Sequence, residues 1–392
     1  MSNERREVVI TGIGAVTPAG FGADALWRSA LAGEPLPQGD VAVGPDPSEK
    51  LTIKESRRLD RFARYGLVAA REAVEDAALD FGELDSTRCG AVIGTGIGGF
   101  ETIDTGIDIL KSKGARQVPA TSVPMLMPNA ALAAITKDLG LHGPGHCVVS
   151  ACASGNHSLG EAKRMIEYGF ADLVVAGSAE AANRPLATAA FRAMGAMTSK
   201  GISCPFDSRR DGFVMGEGAG IVILESAEHA AARGARVYCA LAGYGATNDA
   251  YHLVQPDPTG VGAIAAMAKA LDEAGVRPDE IDYINAHGTS TPYNDLAETK
   301  AIKQIFDAPP PISSTKSLLG HMMGAAGSVE AVICVMSIRD DKAHPTVNLD
   351  QPDPECDLDY IPDGARELKI DNVLSNSFGF GGHNACLVFS AR

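Results

Sequence analysis

The chain runs through its apolar pattern twice. EVVITGIG from Glu7, CGAVIGTG from Cys89, CVVSA from Cys147 and ADLVVAG from Ala171 are short apolar runs of the kind a sheet buries on both faces, and helical stretches separate them. GAGIVILES and the helical AEHAAARG close that series, and near residue 235 the pattern restarts. VYCALAGYGAT resembles the opening strand, GAIAAMAKALDEAG is amphipathic at helical period, and IDYINAHG is a strand ending in a His-Gly turn. GSVEAVICVMSIRD reads as a further helix and NVLSNSFGFGGHNACLVFS as a closing strand pair. Such a repeat over 392 residues predicts an α/β protein of two duplicated halves, residues 1–235 and 236–392, with a site at their junction. Residues 54–78 read as one long helix.

Composition narrows the classes that remain. Gly, Pro or charge interrupts the apolar runs well short of the ~20 residues a membrane helix needs, so no span is expected. MSNERREVVITG begins charged and enters a strand directly, without the pattern of a signal peptide, which predicts a cytoplasmic protein. A formal net charge of -15 opposes loose binding to nucleic acid or anionic lipid, since both are polyanions. The eight cysteines are scattered without a C-x-x-C pair, which argues against a zinc site or a disulfide framework and predicts buried, apolar thiols. GTGIGG, residues 94–99, follows a later strand and lacks the βαβ context of a dinucleotide site, so its glycines read as tight packing or a pocket wall.

Three residues stand out as carriers of chemistry. In CVVSACASGNHSLG, Cys152 falls at the start of a helix, where the backbone dipole and unpaired N–H groups favour thiolate. It is a candidate nucleophile or a buried structural thiol; Cys147, in the preceding strand, reads as structural. His287 in NAHGTSTP and His321 in SSTKSLLGHMMGAAG lie at corners whose glycines allow close approach, and Lys316 and Glu330 could set protonation around His321. No H-x-x-x-H or carboxylate pair supports a metal. Lys50, Lys54, Arg57, Arg58 and Arg61 recur every three or four residues, as a basic helical stripe on an acidic chain.

Taken in order, SACASG, PFDSRRDGFVMGEGAG, NAHGTSTPYND, SSTKSLLGHMMGAAG and NSFGFGGHN resemble the motifs of the 3-oxoacyl-(acyl carrier protein) synthases, the synthase II type in particular, over residues 8–389. The resemblance implies a thiolase-like fold of layered αβαβα architecture in a homodimer, and a decarboxylating condensation in fatty acid elongation that needs no metal or organic cofactor. Cys152 would carry the acyl chain, and His287 and His321 would bind the malonyl thioester carbonyl. Lys316 and Glu330 would support His321. Phe378 would complete the oxyanion hole with the Cys152 N–H and gate the two half-reactions. Thr289 and Thr291 would hold the phosphopantetheine arm, and Ile97, Ser122 and Phe191 would face the acyl chain. Lys54, Arg57, Arg58 and Arg61 would dock the acidic acyl carrier protein. Val254 departs from the family pattern in a Thr slot, as do Gly195 in an Arg slot, His383 where many members have Thr, and the small Thr121 and Ser122 where aromatics are common. Other readings are a polyketide ketosynthase, a thiolase acting on coenzyme A esters, or a silent partner subunit; the two-histidine arrangement disfavours the second and the intact Cys152 the third.

Overall fold

A computed structural model describes residues 5–35 and 39–392. The first half supplies strands β1 (Val8–Thr17), β2 (Cys89–Gly94), β3 (Gly145–Val148), β4 (Leu173–Glu180) and β5 (Gly218–Ser226). The second supplies β6 (Cys239–Asn248), β7 (Tyr283–Asn285), β8 (Ile312–Ser313), β9 (Asn372–Gly379) and β10 (His383–Ser390). Their spatial order is β1-β5-β4-β2-β3 in one half and β6-β10-β9-β7-β8 in the other. In each, the first three strands pair antiparallel and the last three parallel, so one topology is used twice. Val9 and Ile10 of β1 pair with Ala240 and Cys239 of β6 and join the halves into one continuous sheet.

Five helices position the site: α1 (Arg61–Asp76), α2 (Ser154–Glu167), α3 (Val261–Ala274), α4 (Pro292–Ile305) and α5 (Ala326–Asp340). Side chains alternate across each strand, so each strand feeds two cores. Val222 and Leu224 of β5 face a central core with α2 and α5, whereas Ile221 and Ile223 face an outer core with α1. In the second half, Val373 and Leu387 face the central core, and Leu374 and Val388 face an outer core with α3 and α4. The layers therefore run helix, sheet, central helices, sheet, helix. Residues Ala326 to Ile338 of α5 are all buried, as expected of a helix enclosed on every side. The central helices approach so closely that a Cβ on Gly155 would lie 2.4 Å from the Ser328 nitrogen.

Two expectations fail locally. The stretch 54–78 breaks into a single turn, Ile53–Ser56, and α1, because Thr52 and Glu55 close a capping box and the Asp60 side chain accepts the Phe62 N–H. The basic residues therefore do not share one helix. Strand β3 is the sheet edge rather than a strand covered on both faces, and Cys147 on it is only half-buried. All eight thiols are free. No helix among the described residues is long and apolar enough to cross a membrane.

Candidate active site

After β3 the chain turns sharply into α2, and Cys152 lies on that turn. Ala151 holds the left-handed conformation, φ 52°, which is unusual for a residue with a Cβ. The turn is braced from both sides. Ser154 Oγ accepts the Ser150 N–H at 2.9 Å and donates to the Ala151 carbonyl at 2.7 Å. Gly379, at the end of β9, approaches so closely that a Cβ there would sit 2.7 Å from the Ser150 oxygen and 3.2 Å from the Cys152 nitrogen. Cys152 is 5% exposed, and its Sγ lies 3.0 Å from His321 Nε2.

Both histidines are fixed through their backbones. The His321 N–H donates to the Val214 carbonyl at 2.7 Å, and the Gly216 N–H donates to the His321 carbonyl at 2.8 Å, so His321 is zipped to the segment whose Phe213 ring stands edge-on to it at 5.1 Å. His287 follows β7. Its N–H and that of Gly288 each donate to the Glu298 carboxylate of α4 at 2.8 Å, and the Asn376 amide donates to the same group at 3.2 Å. The imidazoles stand 5.6 Å apart at 85°.

Burial dominates the electrostatics. Loss of water pushes His287 and His321 well below the ordinary histidine value, and the Lys316 ammonium pushes each further, so both are neutral. Burial also pushes the Cys152 thiol up to about 11, against the pull of Lys316 and of the Phe380 N–H. The expectation that the helix start depresses this thiol is overturned, because desolvation outweighs the helix end. Lys316 Nζ lies 2.5 Å from Glu330 Oε1 with both side chains 1% exposed; burial pushes Glu330 up to about 7 while Lys316 opposes the shift.

Cys152, His287 and His321 meet in a cavity of about 310 Å³ that Thr289, Thr291, Val254 and Phe378 also line. The two threonine hydroxyls lie 2.9 Å apart, and Val254 offers none. Phe191 packs against Phe213 and Phe380, beside the apolar cluster that contains Cys152. Phe378 requires a correction: the backbone N–H at the sulfur is that of Phe380, while the Phe378 ring stands 5.7 Å from His287. "FGF" offers two aromatics separated by a single glycine, and only the strand end at Gly379 decides which nitrogen turns inward. Ile97 and Ser122 do not line this cavity. Ile97 is half-buried on the loop after β2, and Ser122 borders a separate surface cleft with Arg57 and Arg64. Arg61 is also corrected, since Glu217, 3% exposed, holds its guanidinium at 2.7 Å and removes it from the docking surface. Lys54, Arg57 and Arg58 are exposed. Glu298, Phe213 and the buried Glu180 were not legible as site residues, because single acidic or aromatic residues within helix and strand patterns carry no local signal.

The duplicated sheet and a buried thiol in contact with the first of two neighbouring neutral imidazoles define a thiolase-like condensing enzyme. Sequence models described as beta-ketoacyl synthase, N-terminal domain and C-terminal domain match residues 45–230 and 238–350. A 3-oxoacyl-[acyl-carrier-protein] synthase 2 of Staphylococcus aureus is 45% identical, with 99% of each chain covered. Among solved structures, the ishigamide ketosynthase/chain length factor superposes with a TM-score of 0.92 at 34% identity, over 99% of this chain and 100% of that one. A type II polyketide ketosynthase bound to a hexaketide and in complex with its acyl carrier protein superposes at 0.89 and 33% identity, again over 99% and 100%. The chain belongs to the beta-ketoacyl synthase family.

Proposed function

We propose that the protein condenses an acyl group held on Cys152 with malonyl-(acyl carrier protein), releasing carbon dioxide and 3-oxoacyl-(acyl carrier protein), in fatty acid elongation. The observation that carries this reading is the 3.0 Å contact of Cys152 Sγ with a neutral, buried His321. A thiol near pKa 11 is protonated at neutral pH, so attack on the incoming thioester needs a base within reach, and His321 Nε2 is that base. The departing pantetheine thiolate then takes the proton, which returns His321 to its neutral form. Malonyl thioester next enters the cavity. Its C–C bond to the carboxylate breaks, carbon dioxide leaves, and the electron pair remains as an enolate whose oxygen is stabilised by imidazole N–H donors of His287 and of His321, the latter once solvent exchange has moved its proton from Nδ1 to Nε2. The enolate carbon attacks the acyl-Cys152 carbonyl, the oxyanion is held by the Cys152 and Phe380 N–H groups, and Cys152 leaves as thiolate and takes a proton from water to regain its resting thiol. No metal or organic cofactor enters any step.

The same reading assigns the acyl carrier protein as partner. It would deliver its phosphopantetheine arm past Thr289 and Thr291 and dock on Lys54, Arg57 and Arg58, whose charge suits an acidic protein. A homodimer is supported by the unpaired edge of β3, where the exposed backbone groups suit a second copy of this strand. A polyketide role uses the same chemistry, but the type II polyketide ketosynthase stands at 33% identity against 45% for the Staphylococcus aureus 3-oxoacyl-[acyl-carrier-protein] synthase 2. Mass spectrometry of products from defined acyl primers and malonyl-(acyl carrier protein) tests the proposal. A single two-carbon extension of saturated primers is expected, and Cys152→Ala should abolish it; a Cys152→Ala variant that still extends primers would overturn the mechanism.

A further inference from the structure

The GTGIGG loop and the loop that carries His321 meet on one carboxylate. Glu180, the last residue of β4, is fully buried, and its partners are uncharged donors. Oε2 accepts the Gly96 N–H at 2.6 Å and the Gly324 N–H at 3.2 Å, Oε1 accepts the Thr95 hydroxyl at 3.2 Å, and the Ile97 N–H also donates to the carboxylate. Gly324 follows Met323, which holds φ 45° and packs with Cys152 in one apolar cluster, two residues after His321. The loops touch directly: a Cβ on Gly324 would lie 2.1 Å from the Gly96 nitrogen, and one on Gly96 would lie 2.7 Å from Glu180 Oε2. On its other side, the Thr95 carbonyl lies 3.0 Å from the Ser154 hydroxyl oxygen, whose one proton it shares with the Ala151 carbonyl, at the start of the helix that follows Cys152.

We propose that Glu180 is a positioning residue for the condensation: its carboxylate locks the 95–97 loop and the His321 loop around Cys152 and so sets the approach of sulfur to imidazole. This rests on the condensing role given to the site. Four donors converge on two oxygens, a load that only an acceptor-only group meets; an amide would set an N–H₂ against an N–H. The charge has a second consequence. The ionisable groups that face Cys152 are His321 from its loop, Lys316 from the preceding turn and Glu180 from β4, with His287 behind His321; among them the ionised Glu180 raises the thiol and Lys316 lowers it. Burial pushes Glu180 itself up to about 7 against the pull of its four donors.

The test uses the full-length protein with Glu180→Gln, Glu180→Asp and Thr95→Val. Steady-state condensation is read beside the pH profile of Cys152 alkylation by iodoacetamide. Glu180→Gln should lower kcat by about tenfold or more, leave KM for malonyl-(acyl carrier protein) within about twofold, and move the alkylation midpoint to lower pH. Glu180→Asp keeps the charge but not the reach, so kcat should fall while the midpoint stays. Thr95→Val, which removes one donor, should lower kcat severalfold. Should the Gln variant fail to fold, an unchanged kcat in folded Glu180→Asp and Thr95→Val overturns the proposal. An unchanged kcat in Glu180→Gln overturns it too, as does a parallel loss of kcat, affinity and thermal stability with an unmoved midpoint, which marks a role in folding alone. If the parent forms no 3-oxoacyl product, the condensing role falls and takes this proposal with it; an active parent with unmoved variants removes only the role of Glu180.

Discussion

At Cys152 the start of a helix and the loss of water act on one proton in opposite directions. A helix end contributes about 0.3 to 1 kcal/mol. Burial moves the thiol from 9.0 to about 11, a displacement of about 3 kcal/mol. Burial wins, so the proposed acyl transfer needs a base, and His321 Nε2 at 3.0 Å is the group within reach. The same desolvation keeps both imidazoles neutral, which suits N–H donors that meet an enolate only as it develops. Histidine-selective NMR should therefore show no protonation step for His287 or His321 between about pH 6 and 8. The sign for stability follows: as pH falls below about 6.5, the unfolded chain takes up protons these two side chains refuse, so their contribution is present above that value and lost on acidification.

Within elements, the decisive contacts are close backbone approaches. Gly155 of α2 faces the first turn of α5 with no space for a methyl group, and Gly220 of β5 faces the same turn, a Cβ there lying 2.5 Å from the Val329 nitrogen. Gly155→Ala should destabilise the fold by about 1 to 3 kcal/mol, read as a lower denaturant midpoint with unchanged slope. Helix α1 shows how a charge pattern misleads. Spacing places Arg61 with Arg57 and Arg58, but the Asp60 cap turns the chain between them, and Arg61 instead neutralises Glu217 and meets the Tyr65 hydroxyl. Arg61→Ala should cost about 2 kcal/mol of stability by leaving a buried carboxylate without its cation, measurable by chemical denaturation.

Over the whole molecule, a net charge of -15 makes the exposed Lys54, Arg57 and Arg58 a local exception, and the proposed docking of an acidic partner rests on it. Reversing Arg57 and Arg58 to Glu should weaken carrier-protein binding, with the loss shrinking as salt rises, and should leave stability within about 0.5 kcal/mol. Titration of carrier protein at two ionic strengths checks both the sign and the screening. The duplication matters at this scale as well. Each half alone offers one part of the site: Cys152 comes from the first, and His287, His321 and the Phe380 N–H from the second, so the active cavity exists only where the two copies of the topology meet.

The amino-acid sequence by itself determined the α/β class and the repeated strand and helix pattern, and it marked Cys152, His287 and His321 as candidates, because periodicity and glycine-flanked motifs are local properties of the chain. Only the tertiary structure decided that Phe380 rather than Phe378 presents its N–H to the sulfur, that Arg61 turns inward, that β3 is an edge, and that Glu180 and Glu298 hold the catalytic loops. Those outcomes depend on which backbone donors and charges converge from distant segments, and on how much water the fold removes from them. Neither quantity is written in the spacing of residues along the chain.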